Sequence, residues 1–350
     1  VSRSKRKIDH INYALSTATS GSSGFEDLTF VHQSLPDLSV DEVSLHSKLG
    51  ELNLSSPFYI NAMTGGGGEK TEKLNEGFAL AAKETGLMLS VGSQMAAIKD
   101  SSERRSYSIT RKVNPKGIIV GNLGSEATLD QAKAAVDMIE ADALQIHLNV
   151  IQELAMPEGD RSFTGALGRI EKIVTGLEVP VIVKETGFGM SRETVKKLEN
   201  AGVSIIDVGG YGGTNFSRIE NYRQQRELTF FNDWGITTTA SIVEAKSSFS
   251  SSVIASGGIK NSLEVIKALS LGADAAGIAG AFLKIVIDEG PEALVEEIQQ
   301  MQREQKVIMT ALGARNTEQL KNTSVVISGP TYHWLKSRGL EPERFAVRST

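Results

Sequence analysis

Cysteine is missing altogether from this 350-residue sequence. Its absence excludes disulfides, thiolate zinc sites, cysteine-ligated iron–sulfur clusters and any cysteine nucleophile. Proline is scarce, 8 residues against 34 glycines, so tight turns and close backbone approaches fall to glycine. Long hydrophobic runs are lacking too. The most apolar stretch, Ala275 to Ile287, is interrupted by Lys284 and is too short to span a bilayer. The basic residues of the N-terminus, Arg3 to Lys7, are not followed by a continuous apolar stretch, so no signal peptide is expected and the chain reads as soluble and cytoplasmic. Nor is there an excess of positive charge. With 42 acidic and 37 basic residues the net charge is −5, which argues against a general nucleic-acid binder. It leaves room for a small basic pocket that takes an anionic ligand.

What is present is a large apolar fraction, 40%, with an ordinary 23% of charged residues, enough for a sizeable core. Eight short runs read as buried parallel strands: Phe58–Asn61, Met88–Val91, Ile118–Gly121, Ala143–His147, Val181–Lys184, Ser204–Val208, Val253–Ser256 and Ala275–Ile278. Amphipathic helices follow most of them. Leu74, Phe78 and Ala81 share a face and Gly86 stops that helix. Thr128 with Gln131 forms a capping box. Leu167, Ile170, Val174 and Leu177 make a further stripe, and Asn261 with Glu264 starts a helix ending near Gly272. Length alone suggests two domains, but strand–helix alternation of this kind predicts a (β/α)8 TIM barrel in one unit. A doubly wound open sheet is the alternative that periodicity leaves open. The barrel is expected over residues 57–290, with an N-terminal extension over 1–56 that has extended pieces around Phe30 and Val43. Residues 291–350 are expected to be C-terminal helices packed outside the barrel. Residues 209–240, after the sixth strand, read as a lid-like insertion, because loops after barrel strands face the site.

Glycine clusters follow the last two strands, Ser256-Gly-Gly-Ile259 and Ile278-Ala-Gly-Ala281. Either alone is equally a tight turn. The pair, at the loops where such barrels hold phosphate, points to an anion cradle. Lys184 ends the fifth strand and needs an anionic partner inside a barrel. One candidate is the N1–C2=O edge of a flavin, which becomes anionic on reduction. The neighbouring Glu185 is a weaker candidate, since adjacent strand residues point to opposite faces. Asn61-Ala-Met-Thr-Gly-Gly66 would let a flat ring lie against backbone, and Ser93 and Asn122 offer hydrogen bonds to a heterocycle edge. After the fourth strand come His147, Asn149, Gln152 and Glu153. His147 and Asn149 share a face by alternation. Glu153, in a mouth loop with no basic residue close in sequence, suits a hard cation such as Mg²⁺. Arg6, Lys7 and His10 are either a diphosphate clamp or a solvated basic tail.

Together these segments resemble the type 2 isopentenyl-diphosphate isomerase family, FMN-dependent barrel enzymes. The matching stretches are Arg6-Lys-Ile-Asp-His10, Asn61-Ala-Met-Thr-Gly-Gly66, Val91-Gly-Ser-Gln94, Gly121-Asn122, His147-Leu-Asn149 with Gln152-Glu153, Val183-Lys-Glu185, Gly210-Tyr-Gly-Gly-Thr214, Trp234-Gly-Ile236 and Ser256-Gly-Gly-Ile259. They occur in family order along nearly the whole chain. The resemblance implies interconversion of isopentenyl and dimethylallyl diphosphate by proton transfer. It implies reduced FMN, with NADPH as reductant, and Mg²⁺ on the diphosphate. It also implies a homo-oligomer, tetramer or octamer. By matched position, the flavin contacts are Ala62, Met63, Thr64, Ser93, Asn122, Lys184, Thr214, Gly258, Ile259, Lys260, Gly280 and Ala281. Substrate contacts are Arg6, Lys7, His10 and Gln152, with catalysis at His147, Asn149 and Gln152, and the metal at Glu153. The chain departs from the family pattern at two positions, Gly209, where serine is frequent, and Lys260, where arginine is.

The residues fit that chemistry. An alkene is a poor base and needs a strong, desolvated acid, yet the chain offers neither cysteine nor an evident carboxylate pair. Reduced flavin can carry the proton at N5, leaving orientation and charge to the protein. The nearest rival is a flavin-dependent 2-hydroxy-acid oxidase, which needs a histidine after the sixth strand. Here Asp207-Val-Gly-Gly-Tyr211 has none. Barrels related to inosine-monophosphate dehydrogenase need a cysteine. A non-catalytic phospholigand-binding barrel would have no need of Lys184, Gln152 and Glu153 at one mouth.

Overall fold

A computed structural model describes residues 21–222 and 228–348. Arg6, Lys7 and His10 lie outside the described residues. Within them the eight expected strands close a parallel barrel: β4 (Phe58–Ile60), β5 (Leu89–Ser90), β6 (Ile119–Gly124), β7 (Ala143–Leu148), β8 (Val181–Glu185), β9 (Ile205–Asp207), β10 (Ser252–Ser256) and β11 (Ala275–Ile278), with β11 pairing back onto β4. The doubly wound sheet is thereby excluded. Their outward residues, Ile60, Leu144, Ile146, Val183, Ile206 and Ala255 among them, pack beneath the surrounding helices in one continuous core.

The helices start and stop for local reasons. Gly68–Thr85 ends at Gly86, whose φ of 75° is the left-handed conformation glycine adopts freely. Thr128 and Gln131 form the reciprocal capping box ahead of Leu129–Ile139. Asn261 caps the helix Ser262–Ser270, but the Glu264 carboxylate bonds the N–H of Lys260 rather than closing a box. The stripe on Ala166–Gly176 differs from expectation. Ile170 and Ile173 are the buried pair, while Leu167 is exposed.

Three features were not anticipated. β1 (Leu28–Phe30) pairs antiparallel with β12 (Val325–Ile327), so the C-terminal segment is not purely helical and clasps the N-terminal one. Val43 has extended backbone but follows a single 3₁₀ turn, Val40–Glu42. A hairpin, β2 (Ser47–Leu49) and β3 (Leu52–Leu54), turns on Gly50 at φ 58°. It is anchored to the barrel by Ser47 Oγ donating to the Asp274 carbonyl (2.6 Å) and the Gly50 N–H donating to Ser252 Oγ (2.9 Å). Leu49 and Leu54 of this hairpin pack on an inner layer in which every barrel strand takes part: Tyr59, Met88, Val120, Ala143, Ile182, Ile205, Ile254 and Ala275. The N-terminal end of the barrel is therefore a sealed apolar floor.

Candidate active site

Side chains alternate along a strand, so the next inward residue lies two positions beyond each floor residue. Those positions are Asn61, Ser90, Asn122, Gln145, Lys184, Asp207, Ser256 and Gly277. All but Gly277 carry a polar side chain, and the polar ones bond to one another across the barrel. Asp207 is fully buried and accepts more of these bonds than any other member of the layer. Its Oδ2 accepts from Asn61 Nδ2 (2.9 Å) and the Tyr59 hydroxyl (3.2 Å) and lies 3.4 Å from Lys184 Nζ. Its Oδ1 accepts from Ser256 Oγ (2.5 Å) and the Gly209 N–H (3.1 Å). Burial first, and then this carboxylate, push the Tyr59 hydroxyl well above the ordinary phenol range. On the other side Gln145 Oε1 accepts from Asn122 Nδ2 (2.8 Å) and Ser90 Oγ (3.1 Å), and Asn122 Oδ1 faces His147 Nδ1 at 2.9 Å.

The anionic partner that a barrel-interior lysine requires is thus already present within the protein, as Asp207. It is neither of the two candidates read from the sequence, the flavin edge and Glu185. Lys184 Nζ also donates to Ser256 Oγ and to the Glu185 carbonyl, both at 2.9 Å. The Glu185 carboxylate points the other way, as alternation requires. Its Oε2 accepts the N–H groups of Gly187 (2.7 Å), Phe188 (2.5 Å) and Gly189 (3.2 Å), pinning the loop after β8. Burial pushes that carboxyl up to about 8. All three donors use one oxygen, which leaves the other able to carry a proton.

Above this polar layer opens a cavity of about 570 Å³, within the range of small-molecule sites. It is lined by Ala62, Met63, Thr64, Ser93, Asn122, His147, Asn149, Gln152, Glu153, Lys184, Thr214, Gly258, Ile259, Lys260, Gly280 and Ala281, so every sequence-predicted site residue that is described reaches it. Glycines bring the backbone loops together around it. A Cβ on Gly92 would lie 0.8 Å from the Thr64 carbonyl oxygen, and one on Gly257 2.0 Å from that of Gly210. Tyr107 ties the first two loops by donating to the Ser93 carbonyl (2.6 Å) and accepting from the Gly66 N–H (3.2 Å); burial pushes its hydroxyl up to about 12. Gly280 opens the helix Gly280–Asp288, whose N-terminus has no side-chain cap and faces the cavity.

At the rim, Glu153 lies on the short helix Val150–Ala155 rather than in a loop. Its Oε1 accepts from Asn149 Nδ2 (2.8 Å) and its Oε2 from the Asp160 N–H (2.9 Å). A basic residue is close after all, but Arg161 donates to the Glu153 carbonyl (2.7 Å), not to its carboxylate. Among the described residues no group of three or more His, Asp or Glu side chains is placed to hold a metal by itself. Gln152 Nε2 makes a long bond, 3.4 Å, to Glu220 Oε1 on the helix Phe216–Asn221 of the insertion. Sequence reasoning missed Glu220, Asp207 and Gln145, and two charged lining residues, Glu126 and Lys284. Gly209 sits at φ 47°, and a Cβ there would lie 1.9 Å from the Glu185 carbonyl oxygen, so this backbone admits no serine. Lys260 is exposed at the rim, and its N–H is bonded to Glu264.

Comparison with known proteins agrees with this geometry. A family described as FMN-dependent dehydrogenase matches residues 79–327. An isopentenyl-diphosphate delta-isomerase from a Geobacillus species is 57% identical over 99% of this chain and 100% of its own length. A Bacillus pumilus protein of the same name is 54% identical over 100% and 99%. The chain belongs to the isopentenyl-diphosphate delta-isomerase family. Among solved structures, a mandelate oxidase variant superposes with a TM-score of 0.66 at 15% identity, covering 94% of this chain and 99% of its own. A flavocytochrome b2 variant with pyruvate bound gives 0.67 at 19%, covering 89% and 81%. At those identities the likeness establishes the shared barrel and nothing more.

Proposed function

We propose that this chain interconverts isopentenyl and dimethylallyl diphosphate with FMN as resident cofactor and Mg²⁺ on the substrate diphosphate. The observation that carries this reading is the convergence on one cavity of a glycine-built anion cradle, a half-buried lysine and the His147–Asn149–Gln152–Glu153 cluster. The cavity suits FMN chemically. The uncapped N-terminus at Gly280 and the backbone of Gly258 and Ile259 favour its phosphate. Ala62, Met63 and Thr64 would hold the ring at their backbone, Asn122 and Ser93 would offer it hydrogen bonds, and Lys184 would supply positive charge to the edge that becomes anionic on reduction. When bound, reduced FMN supplies proton exchange at N5 without net redox change.

The protein's own contribution is placement and charge. Asn122 orients the His147 ring, and His147, Asn149 and Gln152 fix the substrate against the ring face. Glu220 meets Gln152 from the insertion side, so the helix Phe216–Asn221 covers the mouth there as part of a lid. Glu153, oriented by Asn149, would offer one carboxylate to a Mg²⁺ brought in with the diphosphate. Arg6, Lys7 and His10 engage the diphosphate. In support, Gly21 lies against the Tyr211 ring and Ser23 against Gly212 and Gly258, so the described chain starts beside the mouth loops. NADPH serves as reductant. The test is anaerobic turnover of isopentenyl diphosphate with FMN, NADPH and Mg²⁺, omitting each in turn. Turnover only when all three are present supports the reading, and none with the complete mixture overturns it.

A further inference from the structure

Lys184 lines the cavity, whereas Asp207 stands directly behind it, fully buried and out of reach of any ligand there. The two are joined twice, by the 3.4 Å ion pair and through Ser256, whose Oγ accepts from Lys184 Nζ (2.9 Å) and donates to Asp207 Oδ1 (2.5 Å). Asp207 is in turn held by Tyr59, Asn61 and the Gly209 N–H. Lys184 side-chain exposure is only 12% and that of Asp207 is 0%, so water screens this pair little.

We infer that Asp207 is a positioning and tuning residue for the cofactor: it anchors the Lys184 ammonium and offsets its charge, limiting how strongly the cavity wall favours reduced, anionic FMN. This rests on the proposed reading in which Lys184 faces the flavin. The wall as built is a neutral ion pair. Without Asp207 it carries one positive charge, and the anionic reduced cofactor gains relative to the neutral oxidised one. Without Lys184 it carries one negative charge and the order reverses. Without both it is neutral again.

The experiment is a redox titration of bound FMN in the full-length protein, wild type against Lys184→Met, Asp207→Asn and the double variant, with oxidised-FMN affinity measured in parallel. Asp207→Asn is expected to raise the preference for reduced over oxidised FMN about tenfold, about +30 mV for a two-electron couple. Lys184→Met should lower it by a similar factor, and the double variant should return close to wild type. Each single change leaves a buried charge without its partner, so either can fail to fold, while the double removes both charges and is the safer protein. If Asp207→Asn does not hold FMN, the rise from Lys184→Met to the double variant reads the same effect. An Asp207→Asn potential equal to or below wild type, or no rise from Lys184→Met to the double, overturns the role of Asp207 while leaving the Lys184 reading intact. A Lys184→Met potential equal to wild type overturns the placement of Lys184 against the flavin, and this inference with it. A residue that merely held the loop would change stability without moving the potential in opposite directions for the two charges.

Discussion

Floor and mouth are built from the same eight strands, two residues apart. At the floor, Tyr59, Met88, Val120, Ala143, Ile182, Ile205, Ile254 and Ala275 close beneath Leu49 and Leu54 of the β2–β3 hairpin. At the mouth, Asn61, Ser90, Asn122, Gln145, Lys184, Asp207 and Ser256 form a hydrogen-bonded layer under an open cavity. One step along the pleat separates a layer that stores stability from one that holds charge. The floor can be uniform because apolar burial is non-directional. In the mouth layer each polar atom needs a partner, and so its residues differ from strand to strand. The floor also shields the ion pair from water on its lower side.

If the two layers are separable, they must fail differently. The largest effect is expected at the floor. Leu49→Ala removes a fully buried side chain and should lower stability by about 2–5 kcal/mol in chemical denaturation. FMN affinity of the folded fraction should stay at the parent value, and a matching loss of affinity would show the layers to be coupled. Next comes Gly92→Ala at the mouth, where the new Cβ cannot coexist with the Thr64 carbonyl. A cost of about 1–3 kcal/mol is expected from the forced loop shift. Here FMN retention should collapse at temperatures where the fold survives, a split visible by running flavin release and circular dichroism together.

Glu153→Gln is a smaller and purely chemical change. It keeps shape and one of the two hydrogen bonds the carboxylate accepts, from Asn149 Nδ2 or from the Asp160 N–H, but removes the charge Mg²⁺ prefers. Activity should fall about 10–100-fold with FMN binding and melting temperature unchanged, and the Mg²⁺ concentration for half-activity should rise. An unaltered Mg²⁺ dependence would remove Glu153 from the metal role. A different kind of readout is a pH slope. The Glu185 carboxyl is pushed by burial from 4.5 up to about 8. Between those values the folded chain keeps a proton that the unfolded chain has lost, so stability falls as pH rises from about 4.5 to about 8 and levels off above. Glu185→Gln should flatten that slope, as read from urea midpoints at several pH values, because Gln retains one oxygen for the three N–H donors. A slope unchanged in the variant would place its origin elsewhere.

Much of this was legible beforehand. All eight barrel strands follow from apolar runs between helical patterns, and each described residue given a site role reaches the cavity. Even the two-layer interior has a signature. Tyr-Ile-Asn, Met-Leu-Ser, Val-Gly-Asn, Ala-Leu-Gln, Ile-Val-Lys, Ile-Ile-Asp, Ile-Ala-Ser and Ala-Ala-Gly, at residues 59, 88, 120, 143, 182, 205, 254 and 275, each step from apolar to polar or glycine across two positions. That pattern singles out Gln145 and Asp207, which lie outside the stretches that match the family. The β2–β3 hairpin was missed because its strands are three residues each, too short for a period-2 pattern to emerge. Glu220 lies in an insertion without periodicity, and only its approach to Gln152 gives it meaning.

By itself the sequence determined the elements, their order and the residue types at each strand end, because those depend on local periodicity and on chemistry carried by single side chains. Tertiary structure alone decided the partnerships. Lys184 and Asp207 are 23 positions apart, on neighbouring strands, and the short-range rule that rejects Glu185 cannot select Asp207 in its place. That choice is made by barrel closure, which sets the register of β8 on β9 and turns both side chains inward at one level. Charge pairing in a protein interior depends on distance through space, and only the closed barrel fixes that distance.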